Sequence, residues 1–187
     1  GVINIVHGRG TSVGKALASS PRIGMISFTG SVEVGSAIMA AAASNVTKVN
    51  LELGGKAPAI VMPDADLDLA VRAICASRII NTGQVCNCAE RVYVHETVVD
   101  AFITKIVAAM RVIRYGNPLL DDTLDMGPLV SRAQLDSVQA AVNQAIQDGA
   151  KCVLGGKRAA QTPGFYFEPT VLTDCRHETA IMRKEIF

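Results

Sequence analysis

Apolar residues in this chain of 187 residues come in short runs separated by glycine-rich or polar turns. In the first third, residues 2–6, 25–28 and 47–53 have the length and composition of strands, whereas residues 15–19 and 32–44 have those of helices. Short strands that alternate with helices across glycine turns predict parallel βαβ units with right-handed crossovers. The pattern therefore indicates an α/β fold.

The alternation continues through the rest of the chain. Residues 58–61, 91–94 and 165–172 are strand-like, and amphipathic helices are predicted over residues 67–81, 99–112 and 132–148. Gly83 should stop the first of these helices, and Gly149 should cap the last. The apolar stripe of the first helix consists of Leu67, Ala70, Val71, Ile74 and Cys75.

The composition of the chain argues against several classes of function. The chain is 49% hydrophobic with a net charge of +1, and it has no basic stripe of the kind that binds nucleic acid. Its apolar stretches are much shorter than the roughly 18 residues of a membrane span, so we expect a soluble cytoplasmic protein without nucleic-acid or membrane partners. Five cysteines without regular spacing argue against a disulfide framework, and neither they nor the three histidines form a ligand-like cluster, so no metal site is expected.

A possible anion site lies where the second predicted helix begins. Ser31 is a candidate N-cap, and Gly30 and Gly35 would let a phosphate and the neighbouring sheet come close to the helix. Glycines between a strand and a helix also occur as simple turn residues, and this pattern does not distinguish the two interpretations. The spacing of Gly8, Gly10 and Gly14 differs from the usual dinucleotide fingerprint.

A second candidate site lies on the predicted loop that carries Cys86, where a thiol could face a cleft and act as a nucleophile. Cys88 is either a residue that packs under this loop or a second thiol that forms a disulfide with Cys86. Glu52, between two leucines at a strand end, is either solvated or a partly desolvated carboxylate suited to act as a general base. We interpret the remaining cysteines as structural: Cys75, Cys152 and Cys175.

Four strings in order resemble the aldehyde dehydrogenase superfamily over the whole chain. They are Phe28-Thr29-Gly30-Ser31, Leu51-Glu52-Leu53-Gly54-Gly55-Lys56, Gly83-Gln84-Val85-Cys86 and Lys184-Glu185-Ile186-Phe187. The resemblance implies an aldehyde-dehydrogenase-like fold, in which residues 1–53 are the end of an NAD-binding domain and residues 54–187 are a truncated catalytic domain. Both ends then lie inside a longer protein, which the resemblance implies is a homo-oligomer, a dimer or a tetramer.

The resemblance also implies roles for individual residues. Cys86 corresponds to the nucleophile that forms a thiohemiacetal and then a thioester, and its N–H corresponds to half of the oxyanion hole. Glu52 corresponds to the base that activates the hydrolytic water. The cofactor, NAD or NADP, is assigned to Gly30, Ser31, Gly35, Leu53, Glu185 and Phe187.

The string from Cys86 to Val94 is most similar to family members that act on small 2-hydroxyaldehydes such as lactaldehyde or glycolaldehyde. Asn87 either hydrogen-bonds a substrate α-hydroxyl or is a turn-forming residue. Other aldehydes, NADP in place of NAD, and coenzyme A in place of water as acyl acceptor all stay open, as do a non-catalytic or a thiol-redox use of the fold. Because the family's second oxyanion donor precedes the matched region, we expect this piece alone to be inactive.

Overall fold

The computed structural model describes residues 1–159 and 163–187. The chain divides into two compact units, Gly1–Gly54 and Gly55–Phe187. No helix among the described residues is long and apolar enough to cross a membrane.

The first unit contains one parallel βαβ motif, as predicted. A single turn at Gly10–Gly14 leads into α1 (Lys15–Ala18), and β1 (Met25–Gly30), α2 (Val32–Ala43) and β2 (Lys48–Leu53) follow. The two strands pair in parallel, with Met25 opposite Lys48 and Gly30 opposite Leu53. Because α2 connects strands that run in the same direction, its N-terminus lies at the end of the sheet where the strands finish.

The predicted strand over residues 2–6 is wrong. These residues have no regular secondary structure, and Val2, Ile3, Ile5 and Val6 are exposed. A strand needs a neighbouring strand to satisfy its main-chain groups, and in the first unit the described ladder joins only β1 and β2. An apolar run alone does not supply that partner.

The second unit begins with another parallel pair. β3 (Pro58–Val61) and β4 (Arg91–Val94) are connected by α3 (Leu67–Ile79) and by a tight turn at Ile80–Gly83. Asp66 caps α3, because its carboxylate accepts hydrogen bonds from the N–H groups of Asp68 and Leu69. The predicted stripe of α3 faces the core: Val71 and Cys75 are buried, and the other three members pack against them.

Two long helices complete the scaffold of the second unit. α4 (Val99–Arg111) packs beside α3 and contributes Phe102, Ile106 and Met110 to the same core. α5 (Arg132–Gln147) begins at the N-cap Ser131 and packs Leu135 and Val142 in a second cluster. Gly149 follows this helix with φ +103°, as expected of a residue that ends a helix.

The end of the chain differs from the predicted strand over residues 165–172. The observed strand β6 is only Val171–Thr173, and it pairs in antiparallel fashion with β5 (Lys151–Leu154), a strand that the sequence analysis missed. Pro169 has no N–H group to give to a ladder, so the ladder does not extend back through it. The short helix α6 (Ala180–Arg183) was also missed.

Candidate active site

The first group of predicted site residues surrounds the start of α2. The Ser31 hydroxyl accepts a hydrogen bond from the Val34 N–H at 3.3 Å, which confirms Ser31 as the N-cap. Among the described residues, the N–H groups of Val32 and Glu33 donate no hydrogen bond. These free donors and the helix dipole favour an anion at this exposed end, directly after Gly30.

Gly35 and Leu53 bring α2 against the end of β2. Gly35 is buried, and a Cβ atom at this position would lie 2.6 Å from Leu53 Cδ2. A larger residue would push the helix or the leucine aside, so glycine here permits the close approach. The first turn of the helix is thereby held near the strand end.

Glu52 occupies an exposed position of β2, opposite Thr29 on β1. Side chains on a strand alternate between faces, so Leu51 and Leu53 turn to the half-buried face and Glu52 to the other. This alternation accounts for a carboxylate between two leucines. Glu52 was interpreted above as either a solvated or a partly desolvated carboxylate. In the first unit it is solvated.

The loop that carries Cys86 follows a turn with an unusual backbone. Asn81, Thr82 and Gly83 have φ values of 47°, 60° and 78°, three consecutive residues in the left-handed region. The chain then reaches Cys86, the one exposed thiol among the five cysteines, all of which the structure describes. This turn thus leads into a loop that presents one thiol to solvent.

The loop is braced by residues 127–130. The Thr82 hydroxyl donates a hydrogen bond to the Gly127 carbonyl at 3.1 Å. The Gln84 side chain accepts one from the Val130 N–H at 2.9 Å and donates another to the Pro128 carbonyl at 3.5 Å. Gln84 therefore fixes the residues just before Cys86, a role that the sequence analysis did not assign to it.

Cys88 lies beneath the loop. It is 2% exposed, and its sulfur accepts a hydrogen bond from Arg78 at 2.9 Å and donates one to the Gly83 carbonyl at 3.3 Å. These contacts confirm that Cys88 packs under the loop, as the first of the two interpretations stated. Cys75 is buried in the core, and burial raises the pKa of its thiol.

Glu185 and the Cys86 loop, two further predicted parts of the site, lie beside Gly55. The Gly55 N–H donates a hydrogen bond to Glu185 Oε1 at 3.3 Å, and the Cys86 carbonyl oxygen lies 3.5 Å from where a Gly55 Cβ would be. The structure thus brings Glu185 and the Cys86 loop to the same segment, the connection between β2 and β3. Asn87 and Phe187 are both exposed.

A pair of buried charges, Lys56 and Glu90, lies beside this segment and was not predicted from the sequence. Glu90 forms an ion pair with Lys56 and lies 3.6 Å from Arg78. Burial lowers the pKa of Lys56, and the hydrogen bond and charge of Glu90 offset this effect only in part. The sequence carried one signal for this pair: Glu90 lies directly before the strand β4, and Lys56 lies two residues before the strand β3.

The chain is similar to known proteins along its whole length. A model of the aldehyde dehydrogenase family matches residues 1–187. The chain is 53% identical to lactaldehyde dehydrogenase of Escherichia coli and 46% identical to 3,6-anhydro-alpha-L-galactose dehydrogenase of a Vibrio species, covering 100% of this chain and 39% of each relative.

Solved structures show the same similarity. A structure of lactaldehyde dehydrogenase matches with a TM-score of 0.94 at 52% identity, covering 97% of this chain and 38% of that one. A structure of 3,6-anhydro-L-galactose dehydrogenase in complex with NAP matches with a TM-score of 0.95 at 42% identity, covering 99% and 39%. The chain therefore spans about two fifths of the length of the relatives it matches.

Proposed function

Since this chain belongs to the aldehyde dehydrogenase family, we propose that the full-length protein oxidises a small aldehyde to the carboxylic acid with NAD or NADP, through a thioester on Cys86. The observation that carries the proposal is the presentation of Cys86, an exposed thiol on a loop that Gln84 and the turn at Gly83 hold in place. A nucleophile that is held in one geometry loses less entropy when it attacks its substrate.

In the proposed first step, the Cys86 thiolate attacks the carbonyl carbon of the aldehyde. The sulfur electron pair forms the C–S bond, and the π electrons of the carbonyl move to its oxygen. The N–H of Cys86 stabilises that oxygen by donating a hydrogen bond. This step forms a thiohemiacetal on the enzyme.

The cofactor is assigned to two groups of residues. Within residues 1–159 and 163–187, the N–H groups of Val32 and Glu33 donate no hydrogen bond outside the helix, so together with the Ser31 cap and the Gly35 contact they fit a pyrophosphate at a helix N-terminus. Glu185 and Phe187 would hold the nicotinamide ribose and ring. When bound, the nicotinamide supplies an acceptor for the hydride that leaves the substrate carbon as the thioester forms.

Glu52 is proposed to act in the last step. Its carboxylate takes a proton from a water molecule whose oxygen attacks the thioester carbonyl, and the C–S bond then breaks to release the acid and the Cys86 thiolate. This role is carried by the resemblance, which matches Glu52 in the string Leu51-Glu52-Leu53-Gly54-Gly55-Lys56, and not by its environment, because Glu52 is exposed in the first unit.

The first experiment compares the full-length wild type with Cys86→Ala and Glu52→Gln, using the absorbance of the reduced nicotinamide. We expect Cys86→Ala to abolish oxidation, whereas Glu52→Gln should still form the acyl-enzyme but release it slowly. Cys152→Ala removes a half-buried thiol outside the loop and serves as the control. Full activity of Cys86→Ala would contradict the proposal.

We propose a 2-hydroxyaldehyde as substrate, because the exposed Asn87 amide follows Cys86 and a relative at 53% identity is named lactaldehyde dehydrogenase. Asn87→Ala should lower kcat/KM for lactaldehyde by about tenfold more than for propanal, the value expected when one hydrogen bond is lost. Equal losses for the two aldehydes would reject the role of Asn87.

We further propose a cytoplasmic homo-oligomer. The resemblance supports the oligomer, and five free thiols support a reducing compartment. Sedimentation of the full-length protein should show a dimer or a tetramer; a monomer at micromolar concentration would refute the oligomer.

A further inference from the structure

The Glu90 carboxylate is the centre of a buried hydrogen-bond network in the second unit. Its side chain is 4% exposed, and the Lys56 side chain with which it is paired is 8% exposed. Glu90 also accepts hydrogen bonds from two main-chain donors, the Ile186 N–H at 3.1 Å and the Phe187 N–H at 3.2 Å. One carboxylate thus accepts hydrogen bonds from the N–H groups of two consecutive peptide bonds, Glu185–Ile186 and Ile186–Phe187.

A second carboxylate makes the reciprocal connection. Glu185, the residue just before this pair, accepts a hydrogen bond from the Gly55 N–H at 3.3 Å. Lys56, the neighbour of Gly55, is the partner of Glu90. Two ionised side chains therefore join the segment at Gly55-Lys56 to residues 185–187: Glu185 accepts from the Gly55 N–H, and Glu90, the partner of Lys56, accepts from the N–H groups of Ile186 and Phe187.

The network extends to the Cys86 loop through Arg78. Its guanidinium donates a hydrogen bond to Cys88 Sγ at 2.9 Å and lies 3.6 Å from Glu90 Oε1. Cys88 in turn donates to the carbonyl of Gly83, at the start of the loop. Glu90 is thereby connected both to the support of the nucleophile loop and to residues 185–187.

We propose that Glu90 is a positioning residue that holds residues 185–187 in register with the Cys86 loop, and so sets the placement of Glu185 and Phe187 toward the cofactor. This inference rests on the proposed function. Glu90 touches neither the reacting atoms nor the cofactor in this proposal. The competing explanation is that Glu90 only neutralises the buried charge of Lys56.

Glu90→Gln in the full-length protein tests the proposal. Glutamine keeps the shape, but its amide group would place hydrogens against donors that now point at a carboxylate oxygen. Glu96→Gln, an exposed residue in the turn after β4, is the matched control. Two quantities are measured: hydrogen exchange of the peptide containing residues 184–187, and the KM for NAD beside kcat.

We expect Glu90→Gln to accelerate exchange at residues 186 and 187 and to raise the KM for NAD by roughly tenfold or more, as for the loss of charge-assisted hydrogen bonds. The fall in kcat should be smaller, and the rate at which iodoacetamide alkylates Cys86 without cofactor should not change. The proposal is overturned if exchange and KM match those of Glu96→Gln, or if kcat falls while both stay at wild-type values.

A double variant, Lys56→Met with Glu90→Gln, separates positioning from charge neutralisation and carries the test if Glu90→Gln does not fold. Removing both charges leaves no unpaired lysine, so the melting temperature should recover while exchange at residues 186 and 187 stays fast. Recovery of wild-type exchange and KM would overturn the proposal. If the wild-type protein oxidises no aldehyde, the proposed function fails, but the exchange measurements still decide the role of Glu90.

Discussion

Gly83→Ala should both destabilise the protein and disturb the nucleophile loop. At φ +78°, a residue with a Cβ is about 1–2 kcal/mol less stable than in the right-handed region. The new Cβ would also lie 3.1 Å from Arg78 Cζ and 3.2 Å from the Arg78 carbonyl oxygen. The carbonyl belongs to the backbone and has little freedom to move, so the guanidinium must shift and weaken its hydrogen bond to Cys88, a further loss of about 1 kcal/mol.

Gly149→Ala is the matched control for this prediction. Gly149 also has a positive φ, +103°, but beyond its two chain neighbours no heavy atom of the described residues lies within 4 Å of the position that its Cβ would take. The control therefore introduces backbone strain without a steric contact and without a link to the loop. Stability is measured by urea unfolding of the full-length protein, and the loop is probed by the rate at which iodoacetamide alkylates Cys86 in the native state.

We expect Gly83→Ala to lose about 2–3 kcal/mol and to change the alkylation rate, whereas Gly149→Ala should lose less and leave that rate unchanged. Equal losses of stability together with an unchanged alkylation rate for both variants would refute the reasoning. Such a result would mean that Arg78 adapts to the methyl group and that the turn does not control the position of Cys86.

Three further predictions concern other parts of the chain. Ser31→Ala removes the cap of α2 and should cost about 0.5–2 kcal/mol and weaken NAD binding; an unchanged dissociation constant, measured by fluorescence titration, would contradict the cofactor assignment. Because the folded state lowers the pKa of Lys56 below 10.5, protonated Lys56 opposes folding, and the free energy of unfolding should rise with pH toward 10.5 more steeply in the wild type than in Lys56→Met. Equal slopes in urea titrations would contradict this. Phe102→Ala, in the core, should lower the free energy of unfolding, measured with urea, by about 3–5 kcal/mol. A loss below about 1 kcal/mol would contradict this, because it would mean that neighbouring side chains fill the cavity left by the ring.

Elements with a strong local signal were predicted from the sequence. The helices over residues 67–81, 99–112 and 132–148 were predicted to within a few residues, because their apolar periodicity and their ends are local. The strand over residues 2–6 was wrong and β5 was missed, since a strand depends on a partner that the local pattern does not identify. Ser31 as the N-cap was confirmed for the same local reason. Cys88 as a packing residue was confirmed by its burial and by its contacts with Arg78 and Gly83.

The sequence by itself determined the alternation of strands and helices, the candidate residues and the family resemblance, because these depend on neighbours along the chain. The tertiary structure decided that Cys86 is the exposed thiol, that Gln84 braces its loop against residues 127–130, and that Glu90 binds the backbone of Ile186 and Phe187. Glu90 and Ile186 are 96 positions apart in the chain. A hydrogen bond depends on distance in space, and folding alone brings such distant residues within 3 Å or so of each other.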